Sequence, residues 1–375
     1  MNTTPAQGSI AATPSPYSAP VRFAKGDAFY KELKRRVDAY FTDTGKNPRD
    51  AWQMYLKTAI LLAWAASSYI FLVFYAHAWW QGILGSISLG ISAASIGFNV
   101  QHDGGHRAYS KFNWVNKVMA MTIDMLGGSS YVWNVKHNAI HHTYSNITGH
   151  DDDIDVGPLA RLSPHQPRLW FHRVQHFYMW LLYGFIAIKW QIFDDFFNVA
   201  IGKIGSHKLP RPKGWDLVIF IGGKILFFTL ALGIPFYFRA WLPVLVFYLT
   251  TCLINGVLLS VVFQLAHCVE EAEFPMPDES TNTMESHWAV HQVETTVDFA
   301  RSSKVLTWLL GGLNFQVEHH LFHKICHVHY PALSKVVEQT CREYEIQYNE
   351  HPTFMAGVAS HFKWLRRMGM PTPTA

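Results

Sequence analysis

Four long apolar runs, arranged in two close pairs, restrict the fold of this chain more than any other feature of its sequence. The first pair covers residues 58–76 and 79–100, and the second covers residues 217–238 and 241–264. At about 1.5 Å of rise per residue, a helix over each run is long enough for a hydrocarbon core of roughly 30 Å. We therefore expect an all-α integral membrane protein with four transmembrane helices in two hairpins.

Lys224 is the one charged residue within the four runs. A lysine near the middle of the bilayer costs roughly 3 kcal/mol on insertion scales. We expect its side chain either to snorkel to the interface or to face a neighbouring helix. Tryptophans stand at the ends of the runs, where aromatic belts lie in membrane proteins; they are Trp79, Trp80, Trp215 and Trp241.

The topology follows from parity, because a short hairpin returns the chain to the side from which it entered. Residues 1–57, 101–216 and 265–375 should therefore share one face, which carries nearly all the Lys and Arg residues. Arg239 is the one such residue at a hairpin tip. The positive-inside rule then predicts that the shared face is cytoplasmic.

The rest of the chain divides into a leader and a cap. Residues 1–24 are rich in Pro, Ser, Thr and Ala and are expected to be a disordered leader. A single domain should cover residues 25–370, with a helical cytoplasmic cap formed by 101–216 and 265–370. Residues 170–197 are apolar and aromatic but are interrupted by Lys189, Asp194 and Asp195, so they could form two more spans, although an interfacial amphipathic helix is favoured.

Composition excludes several classes of protein. Charged residues make up 15% of the chain and aromatic residues another 15%, a balance that excludes disorder and coiled coils. The net charge of +4, with no long basic block, gives no reason to expect a nucleic-acid partner. The four cysteines form no CxxC pair and no disulfide framework.

Histidine is unusually frequent, at 21 of 375 residues, and the histidines next to the predicted spans are grouped. By parity, all of these groups should lie on the cytoplasmic face near the membrane. Three clusters and one single residue stand out: His102 with His106; His137 with His141 and His142; His319 with His320 after Gln316; and His267 directly after the last run.

The spacing within each cluster is helical, because residues at i, i+3 and i+4 project from one face of a helix. We therefore expect three sets to converge: His102 with His106, His137 with His141, and Gln316 with His319 and His320. His142 could reach a second metal. Eight imidazoles are too many for one ion, which favours two. The clusters contain no cysteine, which disfavours structural zinc and iron–sulfur centres, and the membrane location favours a redox pair that uses dioxygen on a lipid chain.

Other polar groups receive the simpler interpretation. His323, His327 and His329 lie close in sequence to the third cluster, but one helix or strand cannot direct all five histidines at one site. Acidic runs are usually solvated faces, although the first of the two here could bind cations and the second could dock a redox partner. The runs are Asp151, Asp152, Asp153 and Asp155, and then Glu270, Glu271, Glu273, Asp278 and Glu279.

The motifs HDGGH, HNAIHH and QVEHH, in this order around two membrane hairpins, resemble the three histidine boxes of membrane fatty acid desaturases. A glutamine that opens the third box, here Gln316, is typical of the front-end group, which includes delta-6 acyl-lipid desaturases. The resemblance covers roughly residues 50–370. It implies an oxygen-dependent enzyme that adds a cis double bond between an existing one and the carboxyl end, as from linoleoyl to gamma-linolenoyl.

The resemblance also implies cofactors, partners and site residues. The cofactor would be a non-haem diiron centre with O2 as co-substrate, and the substrate an acyl-CoA or acyl-lipid among membrane lipids. Gln316 could bind a metal, hold a water or only orient a neighbour. The implied metal ligands are His102, His106, His137, His141, His142, His267, His319 and His320.

Two departures from the family pattern modify these expectations. No HPGG haem motif occurs in this sequence, so we expect a separate electron donor, either a ferredoxin or a free cytochrome b5 with its reductase. Phe263 occupies the position of an asparagine that holds a metal-bound water in one desaturase branch, and Gln264 could substitute for it.

Two other functions stay open. A diiron membrane hydroxylase or monooxygenase needs the same histidines and would insert oxygen into a lipid or hydrocarbon. A non-enzymatic haem or metal carrier needs histidines in mid-span, and none of the four runs contains one; His77 lies at a hairpin tip. The third motif favours the desaturase over the hydroxylase, and the lack of mid-span histidines disfavours the carrier.

Overall fold

The computed structural model describes residues 20–371 and confirms a helical protein with four helices long and apolar enough to cross a membrane. We call them spans 1 to 4. Spans 1 and 3 are longer than predicted at their start, and spans 2 and 4 at their end. Their bounds are Trp52–Tyr75, Trp79–Gly105, Trp215–Phe238 and Trp241–His267.

Spans 2 and 4 continue into the histidine clusters that were expected to follow them. Span 2 is α-helical over Trp79–Ile96, becomes a π-helix over Gly97–Gln101, and ends as an α-helix over His102–Gly105. Span 4 is one α-helix that ends on His267 itself. The predicted end of span 2 was too early because polar residues such as Gln101 do not break a helix. The two glycines after Asp103 do end it. His102 and His267 are thus fixed to the ends of rigid helices.

The two hairpins turn where the sequence predicted. Residues 76–78 join spans 1 and 2, and residues 239–240 join spans 3 and 4. The two turns touch, because Arg239 Nε donates to the carbonyl oxygen of Val73 at 2.7 Å. Span 2 packs closely on span 4: a Cβ on Gly90 would lie 2.8 Å from the Thr251 carbonyl oxygen. Small residues of this kind let membrane helices approach each other.

Lys224 takes the second of its two predicted alternatives. Its side chain is buried, and its Nζ lies 2.7 Å from an oxygen of Asp195 and donates to the Gly127 carbonyl at 2.6 Å. Its partner comes from the segment between the two hairpins rather than from another span. The ion pair therefore ties span 3 to that segment instead of reaching the interface.

That segment, residues 170–197, forms no span within the part of the chain that the structure describes. It consists of short helices whose apolar residues are largely exposed; Phe177 and Leu181, for example, are 66% and 68% exposed. This arrangement favours the interfacial interpretation. The helices are Trp170–Val174, Gln175–Tyr183, Ile186–Lys189, Trp190–Asp194 and Asp195–Ile201.

The other helices form the cap beside the spans. Two short strand pairs accompany them: Lys203–Ile204 is antiparallel to His207–Lys208, and Asp298–Phe299 is parallel to Glu350–His351. The cap helices are Ala28–Thr44, Asn113–Ala120, Thr122–Met125, Ser130–Trp133, Asn134–His141, His142–Tyr144, Asp152–Ile154, Gly157–Leu159, Trp288–Glu294, Lys304–Leu309, Gln316–Phe322, His327–His329, Tyr330–Glu343 and Phe354–Gly369.

The last residues of the predicted leader, 20–24, belong to the part of the chain that the structure describes. Residues 1–19 lie outside the described residues, but Val21 is buried and Arg22 pairs with Thr283 in an isolated β-bridge. The apolar side chain of Val21 packs with Ile147 and Met284. The boundary of the folded chain therefore precedes residue 24.

One apolar core of the cap holds the third histidine cluster in place. Ala28–Thr44 and Tyr330–Glu343 pack together and bury the apolar face of Gln316–Phe322 between them and Trp288–Glu294. The fully buried residues of this core include Leu33, Val293, Val317, Leu333 and Val337. Burial on this scale makes the short helix Gln316–Phe322 rigid although it has only seven residues.

Candidate metal centre

The structure brings all eight predicted histidines together in one buried layer at the ends of spans 2 and 4. Three sets of imidazole nitrogens each lie within 4.8 Å of one another, and two of these sets share no residue, so each of the two could hold one ion. We call His102, His106, His137 and His319 group A, and His141, His267 and His320 group B. Two sets match the two ions expected from the number of histidines.

His142 lies between the two groups. One of its ring nitrogens lies within 4.8 Å of nitrogens of His319 in group A and His320 in group B. Its Nε2 also lies 3.2 Å from Nε2 of His137. His142 is thus the histidine that could complete either site, whereas the sequence assigned it only to a possible second metal.

The first cluster lies at the end of span 2 against an aromatic side chain. The rings of His102 and His106 are 4.6 Å apart between centroids, as expected for residues one turn apart. Each also contacts the indole of Trp133 edge-on. Gly105 permits this contact, because a Cβ at that position would overlap the Trp133 ring. Both histidines therefore belong to group A, as their spacing predicted.

The second cluster departs from the predicted helical geometry. Asn134–His141 is a π-helix rather than an α-helix. His137 belongs to group A and His141 to group B, but their ring nitrogens also lie within 4.8 Å of each other and of a carboxylate oxygen of Asp153, so the pair does converge. A π-helix has i→i+5 hydrogen bonds and is wider than an α-helix, and the rings of His137 and His141 stack with centroids 5.3 Å apart. One motif thus contributes to both groups.

The third cluster also serves both groups. His319 and His320 are adjacent on an α-helix, so their side chains diverge by about 100°. The start of this helix is held by Asp298, whose carboxylate accepts from the Val317 N–H at 3.0 Å. Burial raises the pKa of Asp298 to about 6, and the Tyr348 hydroxyl, which donates to it at 2.6 Å, opposes that rise.

Group B is oriented by hydrogen bonds from its outer ring nitrogens. His141 Nδ1 donates to Asp151 at 3.1 Å, His320 Nδ1 donates to Gln292 Oε1 at 2.8 Å, and His267 Nδ1 donates to the Thr295 carbonyl at 3.2 Å. Each bond leaves Nε2 as the nitrogen with a free lone pair.

Asp151 corrects the interpretation of its acidic run as a solvated face. Its carboxylate is fully buried between His141 and the backbone N–H groups of Asn146 and Asp153. Burial lowers the pKa of His141, but the Asp151 carboxylate outweighs that effect and raises it above the ordinary value.

The remaining histidines of the layer are kept neutral. Burial, followed by the proximity of other imidazoles, moves the pKa of His106, His137, His142, His319 and His320 well below the ordinary histidine value. Neutral imidazole is the form that binds metals. The surroundings therefore favour metal binding over protonation.

Several buried ring nitrogens also lack any hydrogen-bond partner among residues 20–371. They include Nε2 of His141, His319 and His320 and both nitrogens of His106. A buried polar atom without a partner is costly, and a metal ion would satisfy each of these. The residues therefore fit a metal centre built from imidazole.

His327 is a buried histidine that the sequence left unassigned. Its Nδ1 donates at 3.0 Å to Asp103, the residue after His102, and its Nε2 lies 3.1 Å from Nζ of Lys57 in span 1. This network joins the first cluster to span 1. His327 thus helps to position His102 and His106 without reaching either group.

Three neighbours discussed from the sequence border the site. Gln316 Nε2 donates to the Leu313 carbonyl at 2.8 Å, which fixes its amide. Phe263 stacks on His267 with ring centroids 4.7 Å apart and an interplanar angle of 29°. Gln264 is buried, and its Oε1 has no partner within the described residues.

A mainly apolar cavity of about 300 Å³ opens beside the histidines. One end is bordered by histidines of both groups, and the other by Leu126, Gln191 and Asn255. Asn255 precedes His267 by twelve residues on span 4, which places it roughly 18 Å along the helix. Gln191 uses its polar atoms elsewhere: it accepts from the Tyr248 hydroxyl and donates to the Leu126 carbonyl. The cavity therefore suits a long apolar chain.

His361 has a structural role that its sequence position did not indicate. Its Nδ1 donates to the Cys268 carbonyl and its Nε2 accepts from the Tyr183 hydroxyl, both at 2.6 Å. Tyr183 borders the cavity. Replacing His361 would therefore disturb the cavity wall.

Comparisons with known proteins agree with this site. The family model "Fatty acid desaturase" matches residues 77–352. An sn-1 linoleoyl-lipid 6-desaturase of Arthrospira platensis is 40% identical over 94% of this chain and 96% of its own length. The protein of the same description from Synechocystis is 39% identical over 93% of this chain and 98% of its own length. An acyl-lipid (8-3)-desaturase of Physcomitrium patens is 35% identical over 92% of this chain and 73% of its own length.

Proposed function

The chain belongs to the fatty acid desaturase family, and from that premise we propose which bond it desaturates, in which substrate and with which metal. It is a desaturase, an oxidoreductase of lipid metabolism, and an integral membrane protein. The proposed reaction adds a cis double bond at position 6 of a linoleoyl chain esterified in a lipid. The observation that carries the proposal is the 40% identity, over 94% of the chain, to a linoleoyl-lipid 6-desaturase.

The proposed cofactor is a pair of iron ions held by groups A and B with His142 between them. Bound iron would supply the activation of dioxygen that an alkyl C–H bond requires, since that bond offers no handle to an acid or base. Gln316 is proposed as a wall of the site rather than a ligand, because its amide is already fixed by Leu313. The proposed ligands are His102, His106, His137, His141, His142, His267, His319 and His320.

The chain's own residues bind and orient both metal and substrate. Asp151, Gln292 and the Thr295 carbonyl hold the group B rings so that Nε2 faces inward. The apolar walls of the cavity exclude water from the acyl chain. Its end near Asn255 is far enough from the histidines to receive the carbons between the reacting pair and the methyl end.

The substrate is proposed to be a lipid rather than an acyl-CoA. The short helices of residues 170–197 border the cavity through residues such as Tyr183 and Gln191, and they expose aromatic residues on their other side. Such a segment can lie in the membrane interface, where a lipid could insert one acyl chain sideways. The site is proposed to face the cytoplasm, residues 25–370 to form one domain, and electrons to come from a separate protein.

Lipid profiling tests the function. We expect a host that lacks polyunsaturated lipids, when it expresses the chain, to convert supplied linoleate to gamma-linolenate and alpha-linolenate to stearidonate. The His320→Ala variant, which lacks one proposed ligand, serves as the control and should yield neither product. A new double bond on the methyl side of the existing one would contradict the proposed position, and a hydroxylated product would favour the hydroxylase instead.

A pulse-labelling experiment separates the two substrate classes. Labelled linoleate should become desaturated first in glycerolipids, while the acyl-CoA pool stays linoleoyl. Early appearance of gamma-linolenoyl-CoA would contradict the lipid substrate.

A further inference from the structure

His323 contacts the histidine layer from outside the two groups and is itself only partly buried. Its ring centroid lies 5.1 Å from that of His106 in group A and 5.0 Å from that of His142, which adjoins both groups. Its side chain is only partly buried, and the next residue, Lys324, is exposed. The sequence places His323 one turn after the third cluster, but gives no sign of these contacts.

The position of His323 does not suit a metal ligand. Its nitrogens belong to neither group A nor group B, nor to the set that contains His142. It contacts the outer side of the layer instead. A ring placed in this way forms a short bridge between the solvent and two of the proposed ligands.

The surface around His323 is basic. Lys324 and Arg107 are exposed and follow directly on His323 and His106. Arg49 donates to the Lys324 carbonyl at 3.1 Å, and Lys46 is exposed three residues before it. None of these four cations forms an ion pair with another residue of the segment 20–371. Their charge is therefore available to a partner.

We propose that His323 and these four cations form the docking surface of an acidic one-electron carrier protein, with His323 as the contact through which electrons pass to the histidine layer. The inference rests on the proposed function, which needs an external donor. Each turnover would consume two reduced carriers, which donate one electron each. Dioxygen accepts four electrons, two from the carriers and two from the acyl C–H bonds. With two protons from water and the two removed from the acyl chain, it is reduced to two molecules of water. The imidazole is neither oxidised nor reduced overall.

The acidic run 270–279 is a poorer docking surface than the sequence suggested. Glu270 pairs with Arg367, and Glu271 accepts from Ser360 and lies 3.2 Å from His351. Two of its carboxylates are thus already engaged within the cap. Charge complementarity favours the basic surface, because its four cations have no ion-pair partner within the described residues and would attract a partner of opposite charge.

Binding tests the surface without relying on turnover. The probes are an oxidised plant-type ferredoxin and the soluble haem domain of a cytochrome b5, each titrated into the full-length protein in nanodiscs. Lys324→Glu should weaken binding of the effective probe about tenfold or more at low salt, and less at high salt. The matched control is Lys363→Glu, an exposed lysine of Phe354–Gly369, which packs in a different part of the cap. Equal weakening in both variants would overturn the proposed location.

The role of His323 is tested by comparing two reductants. We expect His323→Ala to keep its iron content and its single turnover after reduction by dithionite, but to lose at least several-fold in turnover driven by the carrier. His323→Phe, which retains a ring, should recover part of the loss. Loss of iron would make His323 a ligand, and equal rates with both reductants would remove it from the electron path; either result overturns the inference.

The two proposals fail in different ways. If the dithionite-reduced wild type forms no desaturated product, the proposed function is wrong. If it forms product with dithionite, but with neither carrier protein, the acidic carrier is wrong while the desaturase stands.

Discussion

Groups A and B contain the same kind of ligand but are held in place by different forces. The rings of group B donate hydrogen bonds to Asp151, Gln292 and the Thr295 carbonyl at 2.8–3.2 Å. In group A, the shortest contact between ligands joins Nε2 of His102 to Nε2 of His137 at 3.2 Å. The Trp133 ring stacks on His137 with centroids 4.6 Å apart.

The difference indicates two ways to build a metal site. Hydrogen bonds fix the tautomer and the direction of a group B ring before metal arrives. Group A has only one such outer bond, a long contact of 3.4 Å between His319 Nδ1 and the Tyr330 hydroxyl, and both nitrogens of His106 lack partners within the described chain. Group A should therefore depend more on its metal for order, and group B more on its protein neighbours.

Loss of a ligand should have the largest effect in either group. His320→Ala or His102→Ala should abolish desaturation, because each removes one nitrogen from a set of three or four. We expect iron measured by mass spectrometry to fall from about two to about one per chain, while the protein still inserts into membranes. Full activity in either variant would remove that residue from the site.

Loss of a hydrogen-bond partner should distinguish the groups. Asp151→Asn keeps the size of the side chain but removes the charge that orients His141, and the loss in metal affinity or activity should be about 10–100-fold. Activity per bound iron and iron retention during dialysis would be measured together. An unchanged variant would show that group B does not need its outer bonds.

Sequence reasoning found the ligands more readily than their surroundings. The four spans and the clusters are visible because apolar runs and i, i+4 spacing are local patterns. The division between groups A and B is not, because it depends on a π-helix at Asn134–His141 and on tertiary contacts. Asp151 and Gln292 were missed for the same reason: nothing in their local sequence distinguishes a buried partner from a solvated side chain.

Removal of the packing ring should have a smaller effect. Trp133→Leu removes the stacking partner of His137 and opens space beside His102 and His106. An aromatic contact is worth about 0.5–1.5 kcal/mol, so we expect at most about a tenfold loss in activity. Excess iron should restore much of it, since the ligands themselves remain. A loss as large as that of Asp151→Asn, without rescue by iron, would contradict the contrast between the groups.

The smallest effect should come from Gln316, which precedes His319 by one turn but donates its amide to Leu313 rather than to a ring. Gln316→Met keeps the length of the side chain and removes one hydrogen bond, worth about 1 kcal/mol, so activity should fall about fivefold at most. Gln316→His adds an imidazole beside group A and tests whether that space accepts a further ligand. Iron content and product profile should be measured for both variants against the wild type. If Gln316→Met loses one iron, the amide of Gln316 is itself a metal ligand and not only a part of the wall of the site. That result would contradict the description of group A on which the contrast with group B depends.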